Sequence, residues 1–238
     1  MASDSDIGEY TNWKGWSRED FGVEGRGDRP YYRRELRELV GDGTRQVLEI
    51  GFGNGAVLAF GRAQGWTMTG TELQPELVAR AIEHGFDAHD SAALTDLPDA
   101  GFDGIIALDV FEHIDPEQSI SFLSGLGRKL KPGGHIVLRF PNADGWIGNP
   151  FQNGDPTHVN AIGMLKMTYY AQAAGLRIAS FRAAARRGFA TSPIHGLHAV
   201  TAGTYARLSG AISGAIHFPG LPVVLSTSDV VCALTRDA

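Results

Sequence analysis

Gly51, Gly53 and Gly55 occupy every second position between the apolar run VLEI and the apolar residues AVL, within the stretch VLEIGFGNGAVL. A strand that breaks into glycines and re-enters an apolar run turns into a helix while its backbone stays able to close on a ligand. Glycine has no Cβ to collide, and the helix start presents free N–H groups. That chemistry is nucleotide binding. Two registers fit it. Gly51, Gly53 and Ala56 satisfy the dinucleotide pattern G-x-G-x-x-G/A, with an acid, Glu72, about 20 residues further on. Glu49 with the three glycines makes E-x-G-x-G-x-G instead. The local motif leaves both open.

Two further clusters carry chemistry. Asp109, Glu112 and His113 form D-x-x-E-H, and Asp155 with His158 lies in GDPTH, inside a segment rich in Asn, Gly, Asp and Pro. A neutral imidazole takes a hydroxyl proton readily, so His158 and His113 are candidate general bases, with Asp155 placed to hold the tautomer of His158. His113 reads equally as a structural residue bonded to backbone, and His158 as a loop residue.

The series VLEIGFGNG, GTELQPE, HDSAAL, GIIALDVFEHI and LKPGGHIVL, in that order across roughly residues 45–139, resembles the class I S-adenosylmethionine (SAM) methyltransferases that act on small molecules. The resemblance implies a Rossmann-like fold with SAM as methyl donor and S-adenosylhomocysteine (SAH) as product. It implies that Glu49, Gly51, Gly53 and Gly55 lie along the methionine and ribose of SAM, that Glu72 accepts the ribose hydroxyls, and that Leu73 lies against adenine. Asp90 and Ser91 would contact the adenine amine, for which a helix-capping Asp90 is the plain alternative. Asp109 would sit beside the sulfonium. In ubiquinone-pathway O-methyltransferases a similar acid-x-x-Glu-His cluster holds a divalent cation; Asp109 stands here in place of the longer Glu, and no metal is expected. The GDPTH loop is similar to methyltransferases of bacterial polysaccharide and sugar pathways, which implies a hydroxyl of a sugar or glycan intermediate as acceptor.

The elements that must position these residues follow from periodicity. Strands are predicted at residues 46–50, 67–71, 86–88, 104–109, 135–140, 176–184 and 230–234. Helices are predicted at 31–40, 55–64, 75–84, 116–130 and 162–174. Strand and helix in alternation specify an α/β, doubly wound, mostly parallel seven-stranded sheet with an antiparallel last strand. Residues 42–44 and the KPGG of 131–134 read as turns. Residues 1–44 are expected to supply a segment and helix covering the site. Residues 45–238 would form the catalytic domain, with substrate-covering insertions at about 141–162 and 185–228. Trp146, Phe151, Tyr169 and Tyr170 are candidates to close the pocket, and Arg33, Arg34, Arg186 and Arg187 to hold an acidic acceptor.

Composition narrows the partners. A net charge of -6 offers no concentrated basic face for nucleic acid, and a lone cysteine, Cys232, excludes an intrachain disulfide and fits a reducing compartment. Residues 1–20 lack a basic-then-apolar leader, so a cytoplasmic location is expected. Residues 196–225 are apolar but broken by Arg207, His217, Pro219 and Pro222, which excludes a membrane span and leaves peripheral membrane contact open. A small-molecule acceptor is therefore the expected partner. Three alternatives stay open: an acceptor that is a quinone, phenol or other natural product methylated on O, N or C; a non-catalytic SAM-binding regulator; and a nicotinamide oxidoreductase.

Overall fold

The computed structural model describes residues 20–41 and 45–236; the predicted turn at 42–44 and most of the opening segment lie outside the described residues. Seven strands make one sheet: β1 (Gln46–Ile50), β2 (Thr67–Glu72), β3 (Asp87–Asp90), β4 (Phe102–Leu108), β5 (Leu130–Pro141), β6 (Arg177–Ala183) and β7 (Asp229–Thr235). Their order is β3-β2-β1-β4-β5-β7-β6. β1 to β5 are mutually parallel, and β7 runs antiparallel between β5 and β6. The expected doubly wound α/β sheet with an antiparallel last strand is the one observed.

Successive strand side chains point to opposite faces, so a strand covered on both sides is apolar throughout. Leu48, Ile105 and Leu138 accordingly face one core with α4 (Ser119–Lys129) and α6 (Met164–Ala173). Val47, Ile106 and Val137 face the other, with α2 (Ala56–Ala63) and α3 (Pro75–Glu83). Strand order reverses between β1 and β4, and a parallel sheet opens a crevice at the carboxyl end of such a switch. The glycine turn follows β1 there, Glu72 ends β2, and Asp109 follows β4.

Four elements differ from expectation. α1 (Asp28–Glu35) starts earlier and stops sooner than residues 31–40, because Pro30 suits a first helical turn and a bend after Glu35 then buries both Leu36 and Leu39. KPGG is a bulge within β5 rather than a turn, since Leu130 already pairs with Phe102 before pairing resumes at His135. The loop after β5 contains the short helix α5 (Asn149–Gly154). The excursion before β7 contains a 25-residue helix, α7 (Pro193–His217), that Gly196, Gly203, Gly210 and Gly214 made hard to foresee.

The bend after α1 is tied to β6 by Glu38, which accepts hydrogen bonds from Arg182 Nε (3.0 Å), Arg182 Nη2 (2.8 Å) and Ser180 Oγ (2.9 Å). Burial pushes the Glu38 carboxyl up, but these donors prevail and hold it at about 2. A carboxyl depressed in the folded state stabilises above its unfolded pKa and loses that contribution as pH falls through the folded value. Glu38→Gln is therefore expected to lower the melting temperature near neutral pH, with the gap from wild type closing between about pH 5 and about pH 2. Thermal melts across that range check it, and a constant gap would mean the pair contributes no ionic term.

Candidate active site

The three glycines of the turn all have left-handed backbone, with φ of 67° at Gly51, 52° at Gly53 and 73° at Gly55. A Cβ at Gly51 would lie 2.8 Å from Val110, and one at Gly55 would lie 2.6 Å from the Phe21 ring. The fold itself thus demands two of these glycines, whatever ligand the turn holds. Glu72 Oε2 accepts from Gly53 N (3.0 Å), and its Oε1 accepts from Leu73 N (2.7 Å) and Gln74 N (3.2 Å). That carboxylate fixes the turn to the end of β2; Oε1 already accepts two donors, while Oε2 keeps a second lone pair for another. Leu73 is 74% exposed beside it.

Glu49 is buried on β1, and its Oε2 has no hydrogen-bond partner among the described residues. Burial, then the neighbouring Glu72 charge, raises its pKa well above the ordinary carboxyl value. An orphaned buried acceptor next to a glycine turn suits a ligand carrying an ammonium or hydroxyl. Asp90, after β3, spends Oδ1 on Ala92 N (2.8 Å), capping the short 3₁₀ helix Ser91–Thr95 that Ser91 begins.

On the other side of Val110 opens a cleft of about 630 Å³. Asp109 and Glu112 enter it from the end of β4, Arg139 from β5, His158 and Phe151 from the following loop, and Tyr31 from α1. Phe111 is fully buried against Phe122, Phe140 and Tyr170, and so pins the 3₁₀ turn Phe111–His113 beside the cleft. Asp109 adopts φ 57° and is gripped by Arg139, whose Nε donates to Oδ1 at 2.8 Å and whose Nη2 donates to Oδ2. Arg139 Nη1 also donates to Tyr31 Oη (2.6 Å), with Glu35 Oε1 at 3.5 Å. Burial opposes the guanidinium charge, yet Asp109 holds the pKa of Arg139 well above its usual value. Asp109 is a paired carboxylate in this arrangement.

His158 Nδ1 lies 3.0 Å from the Phe151 carbonyl. A carbonyl only accepts, so Nδ1 carries the proton and the neutral ring keeps its lone pair on Nε2. Nε2 lies 3.6 Å from Asp155 Oδ2 and 4.0 Å from Glu112 Oε1. The tautomer is therefore set by Phe151 and not, as anticipated, by Asp155, which stands on the basic side. Burial acts on Asp155 against Thr157, whose hydroxyl and N–H hold the carboxyl below its ordinary pKa. That hydroxyl proton goes to Asp155 (2.5 Å), so Thr157 Oγ1 accepts from His113 Nδ1 (3.0 Å) and sets His113 in the same tautomer. Glu112, His113 and His158 each offer a ligand atom, all within 4.8 Å of one another. The structure thus joins His158, and not Asp109, to Glu112 and His113 as the set able to hold a cation.

Of the other expected residues, Phe151 and Arg186 line the cleft. Trp146 and Tyr169 are 71% and 62% exposed, and Tyr170 is core. Arg187 pairs with Asp28 and packs over the Tyr31 ring, Arg33 bonds Gln64 Oε1, and Arg34 bonds the Arg186 carbonyl. Sequence reasoning missed Arg139, Tyr31 and Asp229. Arg139 did leave a signal, as a lone cation within the apolar strand HIVLRF.

A family model described as a methyltransferase domain matches residues 26–182. The chain belongs to the class I SAM-dependent methyltransferases. An uncharacterized methyltransferase of Mycobacterium tuberculosis is 28% identical over 113 residues, which is 45% of this chain and 56% of the relative. The chain thus spans about half the length of the curated relatives it matches. A SAM-dependent methyltransferase structure from Archaeoglobus fulgidus aligns with TM-score 0.67 at 19% identity, covering 96% of this chain and 98% of that one. A Haloferax volcanii methyltransferase, solved with its Trm112 activator, aligns over 100% of both chains with TM-score 0.66 at 16% identity. These structural likenesses establish the fold of the methyltransferase domain. The NAD register of the glycine turn is set aside with the family assignment.

Glu112 is 1% exposed, and burial first, the Asp109 charge second, push its pKa up to about 8. Between the unfolded carboxyl value and about 8, the folded state holds a proton that the unfolded chain has released. Stability therefore falls as pH rises through that window, by at most about 1.4 kcal/mol per pH unit. Glu112→Gln is expected to flatten this decline, leaving the part due to Glu49, Glu35 and Asp229, whose carboxyls burial also raises. Denaturant unfolding from about pH 5 to about pH 8 measures it; an unchanged slope would mean Glu112 is ionised in the fold.

Proposed function

We propose that the chain transfers a methyl group from SAM to a hydroxyl of a small polar acceptor, with His158 as general base. The observation that carries this reading is one contact: Gly51 of the glycine turn packs on Val110, whose neighbours Asp109 and Glu112 line the cleft that His158 enters. On this reading the glycine turn and the cleft are joined through Val110 and its neighbours at the end of β4.

The protein's residues fit SAM. Glu72 Oε2 has a lone pair for a ribose hydroxyl, exposed Leu73 suits an adenine face, and the orphaned Glu49 Oε2 suits a polar donor of the methionyl part. Asp90 and Ser91 remain available toward the adenine amine through the atoms not used in capping. When bound, SAM supplies a methyl already activated by its sulfonium. The chain then has to align the acceptor oxygen, exclude water and accept a proton. With SAM bound, the methyl would pass from its sulfur to the acceptor oxygen, and His158 Nε2 would take the hydroxyl proton released by that transfer. Asp155, 3.6 Å from that nitrogen, stabilises the imidazolium. Asp109, held by Arg139, orients the acceptor or the methionyl end and is not itself a base. Arg139, Arg186, Asp109 and Asp229 give the cleft a polar wall, which suits a sugar or glycan hydroxyl better than an unadorned aromatic ring.

A second reading has one specific observation in its favour. Both histidines donate through Nδ1 to protein oxygens, which is how metal-bound imidazoles are commonly held, and they converge with Glu112. A cation there would take the lone pair that general-base action needs.

Two measurements test these readings. SAM and SAH, at 100 times their Kd, are expected to stabilise the fold by roughly 2.7 kcal/mol, and Glu72→Ala to weaken binding by about 1.5 to 3 kcal/mol. A thermal shift with NAD and none with either compound would sink the donor assignment. In single-turnover methyl transfer, His158→Ala is expected to lose about 10²- to 10⁴-fold in rate while SAM affinity stays near wild type. Activity should persist in excess chelator. Loss on chelation with recovery on adding a divalent cation would give Glu112, His113 and His158 to a metal, and a normal rate for His158→Ala would move the base to His113.

A further inference from the structure

α7 is built inside out for a surface helix. An ordinary one turns its large apolar residues to the core and its polar ones to water. Here Ile194, Leu197, Tyr205, Leu208, Ile212 and Ile216 fall along one stripe at steps of three and four, with Thr201 filling its gap, and these six are between 57% and 80% exposed. The side turned to the protein carries Gly196, Gly203, Ala206 and Gly210, over a groove of about 820 Å³ floored by Val223, Val224 and Leu225. Gly196 is the helix's one buried residue, where a Cβ would lie 2.1 Å from the Phe189 ring. The outward stripe is therefore no misplaced core face. Phe218 and Leu221 extend the exposed apolar surface past the helix end. A continuous patch of this kind on a water-soluble fold marks a surface that something covers.

Charge selects what covers it. The chain as a whole carries a net charge of -6, yet from 185 to 228 it contains no Asp or Glu, while Arg186, Arg187 and Arg207 fall in the same segment. A second copy pairing through α7 would offer exposed Arg207 no acidic partner, since the segment holds none. An apolar stripe on a helix that carries exposed Arg207 and no acid is instead matched to a layer of acyl chains under anionic headgroups. No helix among the described residues is long and apolar enough to cross a membrane. α7 also lies outside the span of the family model, residues 26–182.

We infer that α7 is an interfacial helix that lays this protein on an anionic lipid surface. The contact is peripheral: the stripe enters the headgroup boundary, and the methyltransferase fold stays in water. The groove behind α7 shares Ala184, Arg186 and Thr227 with the cleft of His158, so a docked α7 would hold the mouth of that cleft beside the lipid. The inference stands on α7 alone and does not depend on the methyl-transfer reading.

The test is co-sedimentation of the full chain with vesicles of phosphatidylcholine, with and without phosphatidylglycerol. Binding is expected with the anionic vesicles, weakened by salt and by omission of phosphatidylglycerol. Leu208→Asp combined with Ile212→Asp is expected to reduce partitioning about tenfold or more, since each removes the burial of one large apolar side chain. Both positions are exposed, so the SAM-induced thermal shift should be unchanged. Arg207→Glu keeps the stripe and should weaken binding to anionic vesicles only. Absence of binding by wild type, or equal partitioning of the three proteins, would overturn the inference. So would sedimentation equilibrium showing a wild-type dimer that the double substitution breaks, which would assign the stripe to a second copy.

Discussion

The arrangement of the cleft depends on one largely enclosed cation, Arg139. Its guanidinium joins the end of β4, through Asp109, to α1, through Tyr31 and Glu35. A buried charge is tolerated only when its partners satisfy it in good geometry, and removing one partner is far more costly than never having had the pair. Asp109 accepts through both oxygens while its backbone N–H donates to the Arg139 carbonyl at 2.9 Å, so side chains and main chains lock the same two residues together. Glu35 in turn accepts from Ala185 N at 2.6 Å, which brings the start of the last excursion to the same spot. Four segments distant in sequence meet on one ion network.

This pairing divides the carboxylates of the site. Asp109 has a cation and serves as fixed charge. Glu112, three residues on, makes no ion pair with a lysine or arginine among the described residues, and its pKa is pushed up to about 8 by burial and by Asp109 itself. Asp155, supplied with donors by Thr157, stays below its ordinary value. Acids a few ångströms apart are thereby given different protonation behaviour by their surroundings, which is the condition under which one imidazole between them can exchange a proton. The two histidines reach the cleft from different elements, with ring centroids 4.7 Å apart, because buried Asn160 closes the loop by donating its N–H to the Glu112 carbonyl at 3.0 Å.

α7 illustrates a different limit. Its glycines at 196, 203 and 210 are seven residues apart and share one side, a regular pattern that helix propensity counts as a penalty. The apolar residues at steps of three and four were also present, and they signal a helix by period. Their direction was hidden: periodicity reports that large side chains share a face, and says nothing of whether that face turns to a core or to solvent.

The sequence by itself determined the layers, the order of strand and helix, and the place of the glycine turn. These are local quantities: apolar runs of strand length, helical spacing, and glycines where the backbone must be left-handed. It also held the residues proposed for the donor side, since Glu49, Gly51, Gly53, Gly55, Glu72 and Leu73 lie on two consecutive strand ends. Tertiary structure alone decided the acceptor side. That Arg139 takes Asp109, that His158 replaces it beside Glu112 and His113, and that Phe151 rather than Asp155 sets the imidazole tautomer all depend on contacts between separate segments. A carboxylate's partner and an imidazole's tautomer are fixed by which donor or acceptor comes within about 3 Å, and that is a property of the packed chain, not of spacing along it.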